Sequence, residues 1–161
     1  MHEVIKHPIF TQGLKLPLDS IHGLDHWDRV ERFGHIIANQ NSADKDVVSL
    51  FAYLHDARRE NEDIDQDHGR RAVDLLEKLI EENIIVVSSV QRNQLSVALL
   101  WHNLDGAQSE DVTILTCWDA DRLDLWRVGI RPDPKRMFTD YGKSENMRNY
   151  SKQLYQGELN G

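Results

Sequence analysis

Five segments of this sequence carry apolar residues at the three- and four-residue spacing of a helix, and that periodicity constrains the fold more than any other feature. Four of the five follow a Ser or Asp that can cap a helix. One β-branched run, at 84–87, has no second run to pair with, so we predict a buried connection there rather than a strand. We therefore predict an all-α domain of five to six helices, at about 21–41, 45–55, 68–82, 89–102 and 111–128, with a short sixth helix at 146–156.

The two ends of the chain lack the helical period. Residues 1–18 contain two prolines and a glycine, and we predict that they form an extended arm packed across the domain. A chain of 161 residues has the length of one domain. We assign residues 19–161 to that domain, with its core at about 20–130 and a loop and short helix at 131–161.

Charge and composition argue against several classes of function. The formal net charge is −8, which opposes binding to a nucleic-acid polymer because that affinity depends on Lys and Arg displacing counterions. No apolar run approaches the roughly 20 residues of a membrane-spanning helix, and residues 1–18 lack the layout of a signal peptide. Cys117, the single cysteine, cannot form an internal disulfide. We therefore expect a soluble cytoplasmic protein that acts on a small molecule and does not associate with a membrane.

The dipeptide His55-Asp56 lies at the end of the second predicted helix. An imidazole and a carboxylate on adjacent residues can clamp a divalent cation. Adjacent helical residues point about 100° apart, so both side chains reach one cation only where the helix ends or where the cation sits between them. We predict a helix terminus at this point. Other candidate ligands lie in or beside predicted helices: His22, His26, His68, His102, Asp119 and Asp121.

Asp119 and Asp121 compete for one position at such a site. Residues two apart on a helix point about 200° away from each other, so only one of the two aspartates faces the cation. Asp121 shares a helical stripe with Trp118 and Leu125, whereas Asp119 shares a rival stripe with Leu115. Helical geometry by itself leaves both aspartates as candidates, with Asp121 favoured.

Three motifs carry a resemblance to a known family, in this order: His26-Trp27-Asp28-Arg29-Val30, Leu54-His55-Asp56 and Ala120-Asp121-Arg122-Leu123. Over about residues 20–130 the sequence resembles the HD-domain superfamily of metal-dependent phosphohydrolases. The resemblance implies a compact HD-type helical bundle with the metal in a central cleft between helices. It also implies that the four ligands of the principal metal are His26, His55, Asp56 and Asp121. Mixed imidazole and carboxylate ligands favour Mn, Fe, Co, Ni or Zn.

We predict one divalent ion per chain, and His68 and His102 raise the alternative of a second ion. Binuclear members of the superfamily carry two further histidines in this region, and the aspartate of the His-Asp pair bridges both ions, an arrangement that suits phosphoryl transfer. Alternatively, the two histidines bind substrate phosphate or hydrogen-bond a metal ligand. His22, four residues before His26, is predicted to contact substrate or to support a metal ligand in the same way.

Three charged residues follow the His-Asp pair. Glu60 stands four residues beyond Asp56, where some family hydrolases carry an acidic residue, and we predict that it assists catalysis as a general base. Arg58 and Arg59 are predicted to bind substrate by neutralising phosphate charge. The alternative for all three is a solvated loop. A basic cluster further along the chain offers the counter-charge that a phosphate requires, although each member taken singly is typical of a solvated loop: Arg127, Arg131, Lys135, Arg136 and Lys143.

Together these patterns predict a metal-dependent phosphohydrolase that uses metal-activated water on a small phosphorylated molecule, with a nucleotide as the leading substrate class. Asp56 is assigned a catalytic role in orienting the attacking water, beside its role as a ligand. Two alternatives stay open. A non-heme di-iron oxygenase of the HD type requires His68 and His102 as ligands, whereas a non-catalytic sensing domain would bind a nucleotide without turnover. The sequence leaves the oligomeric state open, with a homodimer among the candidates.

Overall fold

The computed structural model of the chain describes residues 2–159. Within that range every regular element is helical, which confirms the prediction of an all-α fold. Met1, Asn160 and Gly161, which fall within the predicted arm and domain, lie outside the described residues. The α-helices are α1 (His2–Lys6), α2 (Pro8–Thr11), α3 (Leu24–Asn41), α4 (Lys45–Leu54), α5 (His68–Glu81), α6 (Ser89–Trp101), α7 (Val112–Leu123), α8 (Asp140–Lys143) and α9 (Glu145–Leu159), and 3₁₀ helices cover Leu125–Val128 and Pro134–Arg136.

Capping residues set the boundaries of the long helices. Asp44 opens α4, where its carboxylate accepts hydrogen bonds from two main-chain N–H groups of the first turn. Ser88 opens α6 in a reciprocal capping box with Gln91. Helix α4 ends at Leu54, so the helix terminus predicted at His55-Asp56 is confirmed. Both residues of the pair are therefore free to turn toward a common point.

The N-terminal arm differs from its prediction, because α1 and α2 make it partly helical rather than extended. Pro8 stands at the first position of α2, where its fixed φ suits a helix, and the ring of His7 accepts a hydrogen bond from the main-chain N–H of Ile9. Phe10 of α2 is fully buried and meets the ring of Trp27 edge-on, with the centroids 5.9 Å apart. The arm thus contributes side chains to the core.

Two other segments depart from their predictions. The run at 84–87 is only partly buried, since Ile85 packs into the core while 90% of Val86 is exposed. The fifth predicted helix is interrupted after α7, because the chain tightens into the 3₁₀ helix Leu125–Val128 and stops at Gly129, whose φ is 75°. A 3₁₀ turn has three residues rather than about 3.6, so the side chains of 124–128 point in other directions than a continued α-helix would give them. Arg127, which lies near the site, belongs to this turn.

The long helices surround one apolar core. Helix α3 packs against α4 and α7, and α5 pairs with α6, which also contacts α4 and α7. Gly34 permits the close approach of α3 to α4, because a Cβ there would lie 2.3 Å from Cγ1 of Val48. The C-terminal ends of α4 and α6 and the beginning of α5 meet beside α3 and α7, where the candidate ligands gather. Across residues 2–159, none of the helices combines the length and the apolar character needed to cross a membrane.

Candidate metal centre

Four side chains from three helices and their ends converge at the centre of the bundle. His26 lies in α3, His55 and Asp56 directly follow α4, and Asp121 lies in the last turn of α7. The Nε2 atoms of His26 and His55 are 3.0 Å apart. Oδ1 of Asp121 lies 3.4 Å from the first and 3.7 Å from the second, and Oδ2 of Asp56 lies 3.6 Å and 3.7 Å from them. The structure therefore brings together the residues predicted as ligands of the principal metal.

Asp56 also faces a second pair of histidines with its other oxygen. Its Oδ1 lies 3.2 Å from Nε2 of His68 at the start of α5, and 3.7 Å from Nε2 of His102 just after α6. Those two nitrogens are 2.7 Å apart. His26, His55 and Asp56 form one buried group, and Asp56, His68 and His102 form another, each with its ligand atoms within 4.8 Å of one another. Asp56 is the member that the two groups share.

The hydrogen bonds of the four histidines fix which ring nitrogen faces the centre. Each Nδ1 donates outward to an oxygen, so Nε2 of each ring faces the centre, where an imidazole without a second proton presents a bare lone pair. The Nε2 atoms lie 3.0 Å apart in one pair of histidines and 2.7 Å apart in the other, so their lone pairs repel one another unless a cation or a proton lies between them. Imidazole together with carboxylate is a donor set that suits a transition metal. The acceptors are Asp124 for His26, Ala52 for His55, Asp65 for His68 and Leu99 for His102.

Burial and charge place the central groups in the protonation states that a metal ligand needs. Burial lowers the pKa of His55 to about 3, so its ring is neutral at neutral pH. Burial alone would raise the pKa of Asp56, but the imidazoles around it, first His55 and then His102, His22 and His68, hold that pKa well below its usual value. The pKa of Asp121 is likewise lowered against its burial, by His26, His55 and Arg127. Both carboxylates are therefore anionic.

Asp124 is a residue of the site that the sequence analysis missed. It is fully buried at the end of α7, and its Oδ2 accepts a hydrogen bond of 2.7 Å from Nδ1 of His26. Its two oxygens also accept hydrogen bonds from Nε and Nη2 of Arg29, at 2.7 Å and 3.0 Å. The carboxylate therefore orients the ring of His26. The signal was present, since Asp124 follows Asp121 by three residues and Arg29 follows His26 by three.

Asp119 has a different partner from Asp121. Its carboxylate is fully buried and accepts hydrogen bonds from the main-chain N–H of Phe138 at 2.9 Å and from the main-chain N–H and hydroxyl of Thr139 at 2.8 Å and 2.7 Å. Asp119 thus fixes the segment before α8. Of the two rival aspartates, Asp121 is the one that faces the histidines.

Comparison with known proteins bears on the fold of the chain. No family model matches the sequence, and no curated protein matches it. The structure is similar to the crystal structure of a predicted HD superfamily hydrolase from an uncultured Thermotogales bacterium, with a TM-score of 0.68 over 99% of this chain and 89% of that chain, at 21% sequence identity. The chain has the HD-type fold. The resemblance in the three motifs is thereby confirmed at the level of architecture.

His22 supports the centre of this HD-type bundle from the loop before α3. Its Nδ1 lies 2.8 Å from Oδ2 of Asp56, so His22 contacts one of the predicted ligands directly. Its Nε2 lies 3.8 Å from a carboxylate oxygen of Glu62, whose side chain is 39% exposed. His22 therefore connects the buried Asp56 with a partly solvated acidic group.

The prediction for Glu60 is corrected by this geometry. Glu60 is exposed, and among residues 2–159 no hydrogen bond or ion pair joins its side chain to the cluster. The acidic side chain beside the site is Glu62 instead. The prediction relied on the position of an acidic residue in some family hydrolases, but α4 ends at Leu54 and the loop that follows turns Glu60 toward solvent.

The two arginines that follow the His-Asp pair have separate roles. Arg58 donates hydrogen bonds to the main-chain carbonyls of Ile9 and Phe10, at 2.8 Å and 3.0 Å, so its predicted substrate-binding role is corrected to one of fastening α2 to the bundle. Arg59 is buried and donates to main-chain carbonyls of the loop at 61–63. Nη1 of Arg59 lies 3.6 Å from Oδ1 of Asp56, so this arginine adds positive charge at the cluster.

A cavity of about 290 Å³ adjoins the cluster at His102 and Asp121. Part of its wall is apolar, from Leu125, Ile130 and Met137. Most of the rest is charged, with three basic side chains and two acidic ones in addition to Asp121: Arg122, Arg131, Arg136, Asp105 and Asp133. Such mixed walls suit a small molecule that carries both an apolar face and polar or charged groups.

The meeting of His68 and His102 depends on a glycine. A Cβ at Gly69 would lie 2.6 Å from the carbonyl oxygen of Leu99 and 2.9 Å from that of Leu100, so only glycine allows α5 to approach the end of α6 this closely. We expect Gly69→Ala to lower the free energy of unfolding by about 1–3 kcal/mol, as overpacking does. Denaturant titration of the purified variant measures this change.

Gly157→Ala is the matched control, because no atom lies within 4 Å of a Cβ at that position in α9. It should leave stability unchanged or raise it by up to about 1 kcal/mol through helix propensity. Equal stability of the two alanine variants would contradict the close approach of α5 to α6.

Proposed function

We propose that the protein is a metal-dependent phosphohydrolase that acts on a small phosphorylated molecule, with a nucleotide as the leading class. The observation that carries the proposal is the position of Asp56, which turns one oxygen toward each of two histidine pairs. Support also comes from the similar HD-type structure, which is described as a predicted hydrolase.

Two groups of side chains are suited to hold divalent ions. The first consists of His26, His55, Asp56 and Asp121, and the second consists of Asp56, His68 and His102. Mn, Fe, Co, Ni and Zn fit this mixture of nitrogen and oxygen donors. A divalent cation held there would supply a water molecule activated for attack and positive charge for the phosphoryl oxygens.

The surrounding residues have definable tasks in such a reaction. Asp56 orients the attacking water through a carboxylate that stays ionised. His22, hydrogen-bonded to Asp56 and close to Glu62, gives a proton a route from the buried centre to solvent. Arg59 adds positive charge next to Oδ1 of Asp56. The cavity beside His102 receives the part of the substrate other than the phosphoryl group.

One observation favours a second candidate, a di-iron oxygenase of the HD type. That activity requires a six-residue ligand set that includes His68 and His102, and the structure brings both of these side chains to Asp56. The hydrolase and the oxygenase differ in the metal retained and in the co-substrate consumed. A non-catalytic sensor would differ from both in binding a nucleotide without turnover.

Metal content and phosphate release together test the proposal. Protein purified without chelator or affinity metal should contain two divalent ions per chain, and His68→Ala should contain one. Nucleoside mono-, di- and triphosphates are then assayed for phosphate or pyrophosphate release with each metal. We expect release that stops on chelation and returns when metal is restored.

His35→Ala provides a matched histidine control, because that ring bonds to Ser49 at 2.8 Å and belongs to neither group. It should keep the metal content and the rate of the natural sequence. Nucleotide binding without product, or oxygen consumption by iron-loaded protein without phosphate release, would contradict the hydrolase.

A further inference from the structure

Arg127, in the 3₁₀ helix after α7, is a buried arginine whose guanidinium is only partly engaged. Its side chain is 8% exposed. Nη1 donates a hydrogen bond of 3.1 Å to the main-chain carbonyl of Asp124, which fixes one end of the group. Nε is buried, and in residues 2–159 it has no hydrogen-bond partner. Nη2 lies 3.5 Å from Nδ1 of His22, a nitrogen that Asp56 already approaches at 2.8 Å.

The Nε and Nη2 groups form the edge of a guanidinium that holds two oxygens of one carboxylate or phosphate. Arg29 uses this edge on Asp124, and Arg92 uses it on Glu77. In Arg127, Nε has no hydrogen-bond partner among the described residues, and Nη2 approaches carboxylates only at 3.8 Å and 4.0 Å, so no described carboxylate occupies both positions of the edge. Burying an N–H group without an acceptor lowers the stability of the folded protein. A buried arginine with such a group therefore points to an acceptor that comes from outside the chain.

The surroundings of this edge identify the acceptor. Nη2 lies 3.8 Å from Oδ1 of Asp121 and 4.0 Å from Oδ2 of Asp56, too far for hydrogen bonds but adjacent to the first ligand group. The negative charge of those carboxylates repels an oxyanion unless a cation offsets it. The imidazole and carboxylate groups of the first ligand group are suited to hold such a cation. A tetrahedral oxyanion can then contact the cation with one oxygen and the arginine with two others.

We propose that Arg127 binds a phosphate group at the metal cluster through its Nε–Nη2 edge. This inference rests on the proposed function and deepens it, because it names the residue that holds the phosphoryl oxygens. It also separates Arg127 from the other arginines near the site. Arg29 is committed to Asp124, and Arg59 to the loop carbonyls.

The test is calorimetric titration of the metal-loaded protein with inorganic phosphate, without turnover. Arg127→Gln should weaken phosphate binding about tenfold or more, because it removes two charge-assisted hydrogen bonds. Arg127→Lys should recover part of the affinity, since it keeps the charge but loses the two-pronged geometry. Metal content should be the same in all proteins.

Arg92→Gln is the matched control. Arg92 is half exposed in α6, ten positions before His102, or roughly 15 Å along the helix axis. Its substitution should leave phosphate affinity unchanged. If Arg127→Gln does not fold, Arg127→Lys carries the test, with weaker phosphate binding expected at full metal content.

Three outcomes overturn the proposal for Arg127. The first is unchanged phosphate affinity in both Arg127 variants. The second is loss of metal from these variants, which would mean that the arginine supports the cluster instead. The third is unchanged KM and kcat for a hydrolysed phosphoester in Arg127→Gln. Phosphate binding that depends on Arg127 in a protein that cleaves no phosphoester would support this site and contradict the proposed function. The two proposals therefore fail separately.

Discussion

Asp56→Asn is expected to lower kcat/KM for phosphoester hydrolysis by about 1,000-fold or more, because loss of the shared ligand removes several kcal/mol of transition-state stabilisation. Asp56 is the one described residue that belongs to both ligand groups. Asparagine keeps the shape of the side chain but removes the negative charge, and it replaces one of the two oxygens with an NH₂ donor. Either orientation of the amide turns that donor toward one of the histidine pairs.

Two measurements check this expectation, elemental analysis for bound metal and initial rates at saturating metal. Asp74→Asn makes the same chemical change at an exposed position in α5 and should leave both quantities unaltered. Hydrolysis by Asp56→Asn within tenfold of the natural sequence would place the reaction centre away from this cluster.

Asp124→Asn is expected to weaken metal affinity about 10- to 100-fold, as loss of a carboxylate behind a histidine ligand does. It should also destabilise the metal-free protein by about 3 kcal/mol, because it removes the charge that faces the buried Arg29. We take the lower end of the range for a broken buried pair, since Arg29 also lies over the ring of Tyr155. Chelated protein in a denaturant titration gives the stability, and a competing chelator gives the affinity.

The contribution of the Asp124 carboxylate to the stability of the protein depends on pH in a definite direction. Burial by itself raises the pKa of Asp124, but hydrogen bonds from His26 and Arg29 hold that pKa below its usual value. Its contribution to stability is therefore present above about pH 4 and is lost as the pH falls through the lower folded-state pKa. The difference in stability between the natural sequence and Asp124→Asn should narrow in acid.

Asp119→Asn separates general destabilisation from an effect on the metal. Asp119 is buried as deeply and accepts three hydrogen bonds, but from Phe138 and Thr139 rather than from a histidine. The Asp119→Asn variant should therefore be less stable than the natural sequence but should bind metal with the same affinity. Equal metal affinity in the Asp119 and Asp124 variants would remove the orienting role that we assign to Asp124.

Local chemistry explains which parts of the fold could be predicted. Asp44 and Ser88 cap helices through hydrogen bonds to residues two or three positions away, so their effect can be read without knowing the rest of the structure. The same holds for the apolar stripe of α3, which contains His26. The prediction for the N-terminal arm was wrong because Pro8 starts a helix as readily as it interrupts one.

The site shows the same division. His26, His55, Asp56 and Asp121 could be chosen because their helices were predictable and their motifs resemble those of a family. Glu60 was chosen because some family hydrolases carry an acidic residue at that distance from the His-Asp pair, and Arg58 was chosen by charge alone. Each of these two choices failed because the chain turns after Asp56, and the new direction depends on what packs there.

The sequence by itself determined the all-helical architecture, the end of α4 at the His-Asp pair and the aspartate to be preferred in α7. Only the tertiary structure decided that Asp56 faces two histidine pairs, that Asp124 lies behind His26, and that Arg127 turns an uncommitted edge toward the cluster. The physical reason is distance along the chain. Caps and stripes act over a few residues, whereas 98 positions separate His26 from Asp124, and only the packing of α3 against α7 brings them within a hydrogen bond.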